Sequence, residues 1–272
     1  MEIRRRLCRA LCACIWTTTM IVSGTPAMAQ SSDIAKQFAP TGTLRVGVLM
    51  VSYFAIEDKG ELNGPVPDLG RELARRLGVP VQLIKYDGPA PIIDAFRNGN
   101  LDATFVGITA DRAAVFDFGP IVLDLQTTYL VPAASKIQNI GEVDQPGLRM
   151  LVPARSAQDA YLRKTITKAT IINVTTADPK QAVDMLTAGQ GDVFSHVVPM
   201  LVTAQRSLPG SRILPGSYFN VPIAIGYAKD RPPAVAAYAR AFAENVKKSG
   251  FVPQSLDRAG ESVKGVVVAA GN

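Results

Sequence analysis

The sequence predicts an α/β protein of two similar lobes, each a parallel sheet flanked by helices, joined by two hinge strands. Three observations lead there. A strand, a helix and a second strand follow one another within residues 44–84; a helix-to-strand pattern recurs ninety residues further on; and extended apolar runs near residues 127 and 221 bracket a middle segment.

The chain opens with a secretory pattern. Arg4, Arg5, Arg6 and Arg9 form a basic front, Leu11 to Val22 is mostly apolar, and Ala27-Met28-Ala29 precedes Gln30. This reads as a signal peptide over residues 1–29, cut after Ala29, with the mature protein expected in the periplasm. The apolar stretch has twelve residues, whereas a helix needs roughly 20 to span a bilayer, so a permanent anchor is the weaker reading. A lipid-accepting Cys14 would need an apolar run before it, which Arg9 interrupts.

All three cysteines (Cys8, Cys12, Cys14) and the single tryptophan, Trp16, fall in this leader. The mature chain therefore has no disulfide, thiol nucleophile or cysteine-based metal site, and neither a cofactor nor a metal is expected. Removing the leader leaves 25 basic against 22 acidic residues, a net charge of +3 with the basic residues scattered. That balance argues against nucleic acid as a partner. The remaining 243 residues can build one large or two modest cores, and a monomer is expected.

After a polar joint from Gln30 to Thr41, Leu44 to Leu49 alternates as a strand. Pro67 to Leu77 carries Leu69, Leu73, Ala74 and Leu77 at helical spacing, with Gly78 placed to end the helix, and Val79 to Ile84 is a second strand. Strand, helix and strand at such short range imply a parallel pair with a right-handed crossover. The next unit occurs twice: Pro89, Ile93, Asp94, Phe96, Gly99 and Asp102 have the offsets of Pro179, Val183, Asp184, Leu186, Gly189 and Asp192. In each copy Pro sits near the helix start, Gly ends the helix and Asp opens a strand. Capping and turn roles, not catalysis, are expected of the four aspartates.

Thr127 to Pro132 reads as an extended crossing out of the first lobe, and Val221 to Tyr227 as the return. Pro233 to Lys248 is an amphipathic helix with Val235, Tyr238, Phe242 and Val246 on one side. Lobe 1 then comprises residues 42–131 and 222–272, and lobe 2, inserted, residues 132–221. A cleft between lobes is a common ligand site.

The opening strand, the turn Gly64 to Leu69, the joint Asn98-Gly99-Asn100-Leu101-Asp102-Ala103, and Thr109-Ala110-Asp111-Arg112 followed by Asp117-Phe118-Gly119-Pro120 together resemble the extracellular solute-binding proteins of family 3. This is the polar amino-acid-binding branch of periplasmic receptors for ABC importers. The resemblance implies the two-lobed periplasmic binding protein (type II) fold, no enzymatic activity, a small carboxylate ligand and, as partner, an ABC transporter permease at the inner membrane. It places Arg112 where the family's arginine forks onto the ligand carboxylate and Thr109 beside it as a hydroxyl donor. A planar guanidinium donates two parallel hydrogen bonds to a carboxylate and stays charged when desolvated; an internal pair with Asp111 or Asp117 is the alternative. Ser156 falls at a helix start that favours negative charge, with a plain cap as its alternative. Arg155 stands where a glycine is usual. Tyr53 and Phe54 follow the first strand where the family supplies an aromatic wall, at the strand end where α/β clefts open.

The chain also departs from the family pattern. The acid that pairs with an amino-acid ligand's ammonium, expected five positions after Asp192, is replaced by Val197; the segment before Thr109 is about two residues short; and Pro120-Ile121 replaces a Pro-aromatic pair. Either Glu57 or Asp124 receives an ammonium, or the ligand has none and is a carboxylate with an apolar or neutral remainder, which is the preferred reading. His196, the only histidine, is a candidate contact, with a packed role as its alternative. An enzyme of the cyclohexadienyl dehydratase type would need a buried acid over its substrate, and none is evident near Val197. A sensing subunit on a membrane kinase would use the same fold.

Overall fold

The computed structural model describes residues 27–154, 156–175 and 179–270. Most of the leader and Arg155 lie outside them. The first described element corrects the expectation of a polar joint: Ala27–Phe38 is a helix, α1. Its buried face is short, Ala35 and Phe38 with Ile34 beside them, and polar neighbours hide it in the sequence. Phe38 sits with its ring 6.2 Å from those of Tyr227 and Tyr238.

β1 (Leu44–Leu49) buries Leu44, Val46 and Val48. A small antiparallel ribbon of β2 (Ile56–Asp58) and β3 (Glu61–Asn63) follows. α2 (Pro65–Leu77) begins two residues earlier than the periodicity suggests, because Pro65 suits the first helical turn, and ends on Gly78 at φ 69°. β4 (Val81–Tyr86) then pairs parallel with β1. The chain continues through α3 (Pro89–Arg97), β5 (Ala103–Gly107), the single turn α4 (Ala110–Ala113) and the sixteen-residue β6 (Phe116–Val131). Beyond it come β7 (Arg149–Pro153), α5 (Ala157–Thr165), β8 (Thr170–Val174), α6 (Pro179–Thr187), β9 (Val193–Val197) and α7 (Val198–Arg206). The last elements are β10 (Arg212–Ile213), β11 (Phe219–Ala228), α8 (Pro233–Lys248), α9 (Phe251–Ala259) and β12 (Val266–Val268).

The main sheet runs β4-β1-β5-β11-β6-β9-β7-β8, with β10 and β12 also on β6. β4-β1-β5 and β9-β7-β8 are parallel trios, and the antiparallel strands β11 and β6 stand between them. Each trio has helices on both faces: one core gathers α1, α2, α8 and α9, a second α3, and the other trio is covered by α5 on one side and by α6 and α7 on the other.

The repeated helix-to-strand unit keeps its geometry in both halves. Gly99 and Gly189 both take φ +66°. Asp102 accepts hydrogen bonds from Arg45 N, Nε and Nη2 at 3.0, 3.0 and 2.9 Å, and Asp192 accepts from the same three atoms of Arg149 at 2.8, 3.1 and 2.8 Å. Each aspartate thus clamps the start of its trio's central strand, a structural role in line with the expected one.

The C-terminal segment touches both halves. β12 pairs with Leu123–Leu125 of β6, and Gln126 N donates to Gly265 O at 2.8 Å. Gly265, at φ +78°, lies so close to α7 that a Cβ there would fall 2.4 Å from Val198 Cβ. Val197 joins Val263 and Val266 in one core.

Candidate functional site

The carboxyl end of β5 builds the first half of the site. Thr109 Oγ1 caps α4, accepting from Arg112 N at 3.4 Å, and the short helix turns the Arg112 side chain back over Gly107. Arg112 Nη1 donates to Gly107 O at 2.6 Å. A Cβ there would approach Nη1 to 3.3 Å and crowd the guanidinium. Burial lowers the Arg112 pKa from its ordinary value, with Tyr53 and Asp111 pulling it back up; arginine still remains charged. Among the described residues no carboxylate lies within ion-pair distance of Arg112, so the internal pair with Asp111 or Asp117 does not form.

Tyr53 is within electrostatic reach of Arg112; burial pushes its hydroxyl up to about 12, with the guanidinium acting in the opposite sense. Its ring meets that of Phe54 edge-on at 4.7 Å. Phe54 does not form a wall: it is 3% exposed, packed in the core beneath the β2–β3 ribbon, and its carbonyl accepts from Val66 N. Having turned one aromatic ring inward at the end of β1, the chain leaves only its neighbour beside the arginine.

In the other half, Ser156 Oγ caps α5 by accepting from Asp159 N at 3.0 Å. α5 packs on the start of β11, with Tyr161 stacked on Phe219 at 4.8 Å between ring centroids. Tyr218 stacks on Tyr129 at 4.8 Å and shares a 2.5 Å hydrogen bond with Ser195. Burial pushes the Tyr218 hydroxyl up to about 12. This aromatic cluster escaped the sequence reading because Tyr129, Tyr161 and the adjacent pair Tyr218-Phe219 come from distant parts of the chain. His196 is a packed residue: it is 6% exposed, pairs with Thr128 across the strands and meets Phe194 edge-on at 5.6 Å. Alternation along β9 puts its side chain on the face opposite that of Val197.

β11 joins the two halves of the site. Phe219 lies beside α5, and three residues later Pro222 O accepts from Ile108 N at 3.3 Å. Three strand steps place these points about 10 Å apart, a span suited to a small molecule. Thr109, Arg112 and Tyr53 are brought together directly; Ser156 caps α5, which meets this strand through Tyr161. The larger concavities, grooves of about 650 Å³ between α6 and α7 and between α1 and α2, do not touch Arg112. Among the described residues no group of three His, Cys, Asp or Glu side chains is placed to hold a metal ion, and no helix is long and apolar enough to cross a membrane.

The family model of the bacterial extracellular solute-binding proteins, family 3, matches residues 44–253. The chain belongs to that family. It is similar to a glutamine-binding protein of Geobacillus stearothermophilus, 26% identical over 196 residues that make up 70% of this chain and 74% of the relative. Among solved structures it resembles the cysteine-binding protein of Campylobacter jejuni, with a TM-score of 0.64 at 18% identity over 88% of this chain and all of the other. A binding component of an ABC transporter from Wolinella succinogenes, complexed with lysine, gives 0.63 at 22% over 80% and 95%. An ancestral amino-acid-binding protein described as a precursor of cyclohexadienyl dehydratase gives 0.63 at 22% over 82% and 97%. These likenesses establish the two-lobed type II fold. In this family-3 chain, β6 and β11 are the strands that pass between the parallel trios.

Proposed function

We propose that this protein captures a small carboxylate-bearing solute, an amino acid or related organic acid, between two lobes in the periplasm and delivers it to an ABC importer. The reading rests on Arg112, a partly buried guanidinium held on Gly107 O with no carboxylate of the described chain to pair with. A charge kept in that condition is matched by an anion from outside. Thr109 and Tyr53 flank it, and Ser156, at the N-terminus of α5, supplies hydroxyl and helix-end partners from the other side. The lobes are residues 42–131 with 222–272 and residues 132–221, the exported form starts at Gln30, and the protein works as a monomer. It acts as a receptor, not as a catalyst.

Closure follows from a ligand that makes its full set of contacts only when both lobes reach it. Small-angle scattering with a carboxylate found by thermal-shift screening should show a smaller radius at saturation, and an unchanged radius would reject two-lobe capture. N-terminal sequencing of the periplasmic fraction should begin at Gln30; a lipidated Cys14 would reject the cleaved leader.

A further inference from the structure

A missing side chain shows which surface the arginine faces. A Cβ on Gly107 would point at Arg112 Nη1, Val221 Cγ1 and Ile223 Cδ1, at 3.3, 3.6 and 3.8 Å, so these three groups share one face of the sheet. Alternation along β11 puts Phe219 on the same face as Val221 and Ile223, about 7 Å beyond Val221. Cross-strand pairing of Phe219 with Thr127, and of Thr127 with Val197, keeps Val197 on that face as well. Val221 and Phe219 are half-buried, and Tyr161 covers the far end by stacking on Phe219. An apolar track therefore leads from the arginine to the aromatic cluster.

We propose that the solute is a monocarboxylate with an apolar remainder and no ammonium group, its carboxylate on Arg112 and its body on Val221 and Phe219; this rests on the solute-capture reading above. The acceptors an ammonium would use are occupied or absorbed. The Gly107 carbonyl already takes Arg112 Nη1. Val197 is packed in a hydrophobic core. Glu57 holds Lys85 at 2.9 Å, and Asp124 lies within the field of Lys247. A second cation beside the guanidinium would meet like charge in a partly desolvated site, which is strongly unfavourable.

Calorimetric titration of refolded protein with pairs that share one carbon skeleton tests this: isocaproate against leucine, hydrocinnamate against phenylalanine, and straight-chain acids from propanoate to octanoate against their α-amino counterparts. In the best-binding pair the acid without the amino group should bind tighter by roughly tenfold or more. Phe219→Ala should weaken it, and Val221→Asp, which supplies an acid on the same face, should narrow or reverse the preference. An amino acid that binds as well as its partner or better overturns the proposal. If amino acids bind and Arg112→Ala abolishes that binding, carboxylate capture stands and only the ligand class is wrong. If no member of any pair binds, capture of a small carboxylate fails along with it.

Discussion

Arg112 is anchored by its own chain: its Nη1 lies 2.6 Å from the carbonyl oxygen of Gly107, five residues earlier. A side chain at residue 107 would crowd this contact. In Gly107→Ala the new methyl would stand 3.3 Å from Nη1, so the guanidinium must move by a few tenths of an ångström. The backbone tolerates alanine, since Gly107 is not among the positive-φ glycines. Affinity for the carboxylate ligand should fall by about threefold to tenfold with the melting temperature nearly unchanged; calorimetry and thermal melting together decide it, and unaltered affinity would show the anchor to be incidental.

Arg112→Ala should abolish measurable binding while the apo protein folds normally. Truncating one member of a desolvated charge pair costs roughly 3 to 5 kcal/mol, which at 1.4 kcal/mol per tenfold lowers affinity by about two to three and a half orders of magnitude. Arg112→Lys should recover only part of this, because an ammonium keeps the charge but not the two-pronged geometry. Normal binding by Arg112→Ala, or its unfolding without ligand, would make Arg112 structural.

The two aspartate clamps look alike but differ in burial. The Asp102 side chain is fully enclosed and also meets Arg231 at 3.4 Å, whereas that of Asp192 is 36% exposed and its Arg149 partner 40%. Asp102→Ala should therefore destabilise by about 3 to 5 kcal/mol, leaving buried donors unpaired, and Asp192→Ala by about 1 kcal/mol or less, since solvent screens the pair. Denaturant unfolding of the two variants compares them directly; equal losses would show that burial does not set the difference.

Glu72 offers a pH test. Hydrogen bonds from Arg75 hold its pKa at about 2 against an ordinary 4.5, burial works the other way, and Arg76 adds to the lowering. A folded-state pKa below the unfolded one gives stability that is complete above about pH 4.5 and is lost as the pH falls through about 2. The exposed Arg75 side chain, at 71%, is screened by solvent, which reduces the contribution to the order of 1 kcal/mol. Glu72→Gln should melt lower than wild type at pH 6, and the gap should shrink between pH 4.5 and 2. A gap independent of pH would place the loss in packing.

Much of the fold was legible because it rests on local spacing. α8 occupies Pro233–Lys248 as the periodicity predicts, and α3 and α6 start at Pro89 and Pro179. The exceptions have physical causes. β6 runs through Gly119-Pro120, two residues that weaken a strand interior, because its register with β11 shifts there and a bulge tolerates a proline without a donor. Gly119 is needed for close approach, since a Cβ would lie 2.7 Å from Ile225 Cγ2. Family spacing singled out Arg112 and Thr109, which the structure holds side by side on α4, but burial sorts Tyr53 from Phe54, and sequence carries no sign of that. The Phe219–Tyr161 stack depends on a strand and a helix meeting from distant parts of the chain.

The order of strands in the sheet also sets an order in time for a chain made from its N-terminus. Each trio is contiguous in the chain, but β9 finds its neighbour β6 already made, whereas β5 waits for β11 and the core of α2 waits for α8. Long-range pairing is slow because loop closure precedes its reward. The trio of β7, β8 and β9 should thus form first, leaving the N-terminal strands half-covered until residues 219–268 arrive. Pulse-labelling hydrogen exchange during refolding should protect the amides of β7 and β9 before those of β5, and simultaneous protection would mean the chain end acts as nucleus instead of latch.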